Sequence, residues 1–82
     1  MIKNPTTEIR YQLPINTHVK IEILNLLGQK IITLIDELQS AGNCTIKWVG
    51  KYENGDIASS GIYLYRFKTT DFEQVKKLML LK

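Results

Sequence analysis

Gly61-Ile62-Tyr63-Leu64-Tyr65-Arg66-Phe67 is the stretch whose reading decides the fold. Its hydrophobic period is two: Tyr63, Tyr65 and Phe67 share one face, and Ile62 and Leu64 share the other. Aromatic and β-branched side chains on both faces mark a central β-strand, because a strand flanked on both sides has little use for a polar face.

The same alternation extends outward from this strand. Downstream, Thr69–Glu73 turns the chain, and Val75-Lys76-Lys77-Leu78-Met79-Leu80-Leu81-Lys82 reads as the last strand. Upstream lies a polar connection from Gly50 to Gly61, holding Asn54-Gly55, the strongest short hairpin signal, and a brief strand at Ile57-Ala58. The Cys44–Val49 strand precedes it, with Cys44, Ile46 and Trp48 in phase and facing inward. Ala41-Gly42-Asn43 forms a turn, and Asp36–Ser40 reads as a single helical turn, too short to stand alone. A further strand runs from Lys30 to Leu34 or Ile35, after a break at Gly28-Gln29, where glycine suits a positive-φ turn. Val19-Lys20-Ile21-Glu22-Ile23 alternates with Lys20 and Glu22 outward, then becomes apolar on both faces to Leu27. Near the start, Thr7–Leu13 puts Ile9, Tyr11 and Leu13 on one face, and Pro14 ends that strand because it cannot donate to a ladder. A helix over Val19–Leu38 competes, with leucines at helical spacing, but Gly28 and the run Ile31-Ile32-Thr33 oppose it. Six to seven short strands with turns between them predict an all-β antiparallel sandwich or barrel.

Size and charge narrow the function. An 82-residue chain forms one domain, residues 1–82, and buries roughly 60–65% of the surface exposed when unfolded. Such a core leaves little room for a deep catalytic cleft. The net charge is +3, but the lysines and arginines are spread along the chain and only Lys76-Lys77 is a pair. A nucleic-acid surface would cluster them with interleaved aromatics, so no nucleic-acid partner is expected. No apolar run approaches the ~20 residues that span a bilayer, and no transmembrane segment or signal sequence is expected.

Candidate chemistry is sparse. Cys44 is the only cysteine and reads as a small core residue; no internal disulfide is possible. His18 is the only histidine and reads as a solvated residue at a turn. Glu53-Asn54-Gly55-Asp56 is the best oxygen-rich stretch for calcium, yet it lacks EF-hand spacing and an Asn-Gly turn accounts for it. The carboxylates lie in no apolar setting suited to general-acid work, and the isolated glycines form no phosphate cradle. Trp48 reads as a core anchor. The expectation is therefore no enzyme, no catalytic or metal residue and no cofactor.

Five segments carry a resemblance. Asn4-Pro5-Thr6-Thr7-Glu8-Ile9-Arg10-Tyr11-Gln12-Leu13-Pro14 resembles the opening Asn-Pro-x-x-x-x-Ile-x-Tyr-x-Leu-Pro of a family of C-terminal domains on secreted bacterial proteins. Ile23-Leu24-Asn25-Leu26-Leu27-Gly28-Gln29 resembles its second motif, Ser40-Ala41-Gly42 with Trp48 the third, and Ala58-Ser59-Ser60-Gly61-Ile62-Tyr63-Leu64-Tyr65-Arg66 the fourth. Lys76-Lys77-Leu78-Met79-Leu80-Leu81-Lys82 resembles the closing strand. The family is the type IX (Por) secretion system C-terminal sorting domain, which is similar to the immunoglobulin-like domain of flagellar hook-capping proteins. Asn43-Cys44 and the additional residue in Ser59-Ser60 depart from its pattern.

The resemblance implies an immunoglobulin-like sandwich belonging to a larger protein exported to the cell surface. It also implies two partners, an outer-membrane secretion translocon and a C-terminal signal peptidase. Lys76, Lys77 and Lys82, with Gly61 and Tyr63 at the entry to the central strand, are the implied recognition residues. Asn4, Pro5, Gly28, Gly42 and Trp48 are the implied fold motif. The alternative is an immunoglobulin-like structural or adhesive module, hook-cap-like or a spacer. An unpaired edge strand would also permit self-association.

Overall fold

The computed structural model describes residues 6–81. These form six strands: β1 (Thr7–Leu13), β2 (Thr17–Leu24), β3 (Lys30–Gln39), β4 (Gly42–Trp48), β5 (Gly61–Lys68) and β6 (Glu73–Leu80). Every pairing is antiparallel. β1 and β4 make a two-stranded sheet, and the other four make a sheet in the order β3-β2-β5-β6. The two sheets close over one core, giving the antiparallel sandwich that the alternation predicts, with six strands. In place of a seventh there is an isolated bridge between Lys51 and Ile57.

The decisive stretch is β5, flanked by β2 and β6. Its inward residues Tyr63 and Phe67 are buried and Tyr65 half-buried. β2 contributes Val19, Ile21 and Ile23, β1 contributes Ile9 and Leu13, and Trp48, Ile31, Ala58 and Leu80 complete the core. Burying these side chains against two facing sheets is the main force holding the sandwich.

Several boundaries differ from the sequence expectation. β4, for one, takes in Gly42 and Asn43, expected as turn, because they pair with Leu13 and Gln12 of β1, and it ends at Trp48 before Val49. Asp36–Gln39 is not a helical turn but the end of β3, paired residue by residue with β2 from Lys20↔Asp36 to Thr17↔Gln39. A waiting neighbour strand satisfies those backbone groups better than one isolated helical turn can. The corner beyond it is tied by Ala41 N–H donating to Asn16 Oδ1 at 2.8 Å. His18 is exposed as expected, but lies within β2, with Nε2 2.7 Å from Asp36 Oδ1 across the strands. β2 ends at Leu24 and does not continue into the interior, because Asn25 folds the chain back: its Oδ1 accepts from Leu27 N–H and Gln29 N–H, both at 2.9 Å. β6 begins at Glu73 and ends at Leu80, two residues ahead of the expected span at each end.

Candidate functional site

Of the sequence-derived recognition residues, Lys76 and Lys77 come to the surface on β6. They point to opposite faces, since Lys76 is opposite Tyr65 on the core-side face and Lys77 is opposite Leu64 on the outer face. Lys76 nonetheless stays exposed. The two-stranded sheet covers only part of the four-stranded one, so the first half of β6 overhangs. Neither lysine makes an ion pair among the described residues, in contrast to Lys68, 4.0 Å from Glu73. Lys82, Asn4 and Pro5 lie outside the described residues.

Beneath that overhang runs a groove of about 320 Å³ between β1 and β6, lined by Tyr11, Tyr65, Phe67 and Phe72, with Lys76 at its rim. Tyr11 and Phe67 have ring centroids 5.2 Å apart, and Phe67 and Phe72 6.1 Å. Sequence reasoning did not isolate this groove. It arises where a narrow sheet leaves a wider one uncovered, and no single strand's pattern carries that.

Tyr63 belongs to the scaffold instead of the exposed surface. It is 8% exposed, stacks edge-on against Trp48 at 5.0 Å, and donates its hydroxyl to Ser59 C=O at 2.5 Å. Burial, then the neighbouring Tyr52, raises its phenol pKa above the ordinary tyrosine value. Trp48 is fully buried and donates Nε1–H to Lys51 C=O at 2.9 Å. Gly61 opens β5 opposite Leu80, and Gly42 opens β4 opposite Leu13. Gly28 occupies the β2–β3 turn at φ +84°, a conformation that side chains resist.

The remaining polar groups also serve structure. Glu22 is outward, as the alternation predicts, yet only 8% exposed. Arg66, its cross-strand neighbour on β5, donates to Glu22 Oε1 at 3.2 Å and covers it. That pairing was illegible because two strands distant in sequence had to be placed in register first. Cys44 faces Tyr11 and is half-buried. Tyr11 donates to Gln39 Oε1 at 2.5 Å, and burial, followed by Cys44, raises its pKa. In the oxygen-rich loop, Thr33 N–H donates to Glu53 Oε1 at 3.1 Å, and Asn54 and Asp56 bond to each other. Among the described residues, no three His, Cys, Asp or Glu side chains converge on a possible metal position. No helix among them is long and apolar enough to cross a membrane.

No protein-family model and no curated protein matches the chain. Among solved structures, the crystal structure of FlgD from P. aeruginosa, a flagellar hook-capping protein, is similar in fold: TM-score 0.71 and 23% identity, over 92% of this chain. The chain spans 58% of the length of that FlgD chain. The likeness is one of fold.

Proposed function

We propose that this domain is a non-catalytic, immunoglobulin-like structural module of a longer extracellular protein, working through its surfaces as a hook-cap-like or spacer domain. The observation that carries the reading is the hook-cap-like sandwich itself. How the reactive side chains are spent also supports it: Trp48, Tyr63, Tyr11 and Glu22 each hold a scaffold contact. A sandwich braced in this way presents edges and loops to neighbours.

A second reading, the type IX sorting domain, is favoured by a specific observation: the five sequence motifs stand in family order from Asn4-Pro5 to Lys82. In that reading the outer-membrane translocon recognises the β6 region, where Lys76 and Lys77 are exposed, and the signal peptidase then removes the domain at the cell surface.

One experiment separates the two. The chain is fused to the C-terminus of a periplasmic reporter in a bacterium with a type IX system. A structural module leaves the reporter in the periplasm, folded and intact. Transport to the surface that is lost on removing Leu80–Lys82 overturns the module reading in favour of sorting.

A further inference from the structure

β6 is an edge strand, and among the described residues its far edge makes no backbone hydrogen bond. The opposite edge of the same sheet is partly covered: Glu53 N–H donates to Ile31 C=O at 3.3 Å, and Thr33 N–H donates to the Glu53 carboxylate. An uncovered edge is a template for another strand unless its side chains forbid pairing.

The side chains here specify a partner. Phe72-Glu73-Gln74-Val75-Lys76-Lys77-Leu78 is complementary to its own reverse. Laid antiparallel against a second copy about a two-fold axis at Val75, it places Glu73 opposite Lys77, Gln74 opposite Lys76 and Phe72 opposite Leu78, each pair twice. Val75 then meets Val75. Faces match as well, because residues directly opposite in an antiparallel pair share a face. Glu73, Val75 and Lys77 lie on the outer face with Lys68, Arg66 and Leu64, while Gln74, Lys76 and Leu78 lie on the core side. Moving the axis one residue forward sets Lys76 on Lys76; moving it two sets Lys77 on Lys77. Like charges directly opposite are unfavourable. An axis one residue back, at Gln74, leaves Glu73 opposite Val75 and Phe72 opposite Lys76, so among these registers only Val75 sets Glu73 opposite a lysine. Val75 is 48% exposed and Phe72 52%, leaving apolar surface for such a contact to cover. Glu73 is held only loosely by Lys68, at 4.0 Å.

We propose that β6 is a homodimerisation edge, joining two copies into one continuous eight-stranded antiparallel sheet centred on Val75. The interface is isologous, so each charge pair occurs twice and one substitution acts at two places.

The test is sedimentation equilibrium of the purified chain over a wide concentration range, with circular dichroism to confirm folding of each variant. The wild type shows a reversible monomer–dimer equilibrium. Lys77→Glu places Glu against Glu73 of the second copy and weakens the dimer about tenfold or more. Glu73→Lys does the same with lysines. The double variant E73K/K77E exchanges the charges and restores the wild-type constant to within a few-fold. Glu73 and Lys77 are both exposed, so the fold tolerates the changes. A wild-type chain that stays monomeric at millimolar concentration overturns the proposal. So does a dimer indifferent to the single reversals, which places the contact elsewhere, or a double variant as weak as the singles.

Discussion

Trp48 carries more of the core than any other side chain: it is fully buried, stacks on Tyr63 and has its one polar atom bonded. Trp48→Ala removes that volume from beneath both sheets and costs about 3–5 kcal/mol. A domain this small holds only about 4–12 kcal/mol in total, so urea unfolding of the variant shifts far toward zero denaturant. A loss below about 1 kcal/mol contradicts that packing. Tyr63 allows a subtler measurement. Its folded-state pKa, raised by burial first and Tyr52 second, exceeds the unfolded value, so the neutral phenol is the form that folding favours. The associated stability is whole below pH about 10 and drains as pH rises through the folded value. Tyr11 contributes with the same sign. Thermal midpoints recorded from pH 8 to 11.5 fall at the alkaline end. Tyr63→Phe flattens part of that fall, while losing about 0.5–1.5 kcal/mol at neutral pH with the bond to Ser59.

Among the elements, the β2–β3 connection shows how a few residues set a strand's length. Asn25 receives two backbone N–H groups and donates to Gln29 Oε1 at 2.8 Å, and Gly28 supplies the left-handed backbone. Gly28→Ala costs about 1–2 kcal/mol from strain alone, since nothing stands within 4 Å of the added methyl. Asn25→Ala costs about 1–3 kcal/mol through the orphaned N–H groups. Amide exchange in both variants accelerates first at residues 24–30. The alternating strands, the β5 centre and the Asn54-Gly55 turn were readable directly, because period two and a turn dipeptide are local signals. The ends of β2 and β3 were not. Leu26 and Leu27 continue an apolar run, yet they sit exposed in the turn that Asn25 braces. Register shifts between Ile21 and Glu22 and between Ile23 and Leu24 break the alternation along β3. On the candidate surface, Lys76 and Lys77 were legible as an exposed pair. The burial of Glu22 by Arg66 and the aromatic groove were not, since both depend on the pairing of strands distant in sequence.

At the level of the whole molecule, the two sheets are unequal, and that sets how the domain folds. β1 pairs only with β4, from Thr7↔Trp48 to Leu13↔Gly42, and so closes the chain across the whole β2–β3 hairpin. β4 has no other partner. Without β1 it is a single strand over a four-stranded sheet, and the core loses Ile9, Leu13 and the Tyr11 contact with Phe67. A lone strand leaves its backbone groups unpaired against an apolar surface, which the remaining packing does not offset. A chain starting at Pro14 is therefore expected to lose cooperative unfolding, even though the β2–β3 and β5–β6 pairs of its four-stranded sheet are local hairpins. Circular dichroism would show residual strand signal with a broad thermal transition and exposed apolar surface that binds a hydrophobic dye. In the intact chain, the distant β1–β4 and β2–β5 pairings make folding slow for its size, in milliseconds to seconds. Ile9→Val, which trims a β1 core residue without breaking the pairing, then separates two orders of assembly. If β1 docks last, the substitution speeds unfolding and leaves the folding rate unchanged; a matching drop in the folding rate instead places β1–β4 closure at the start.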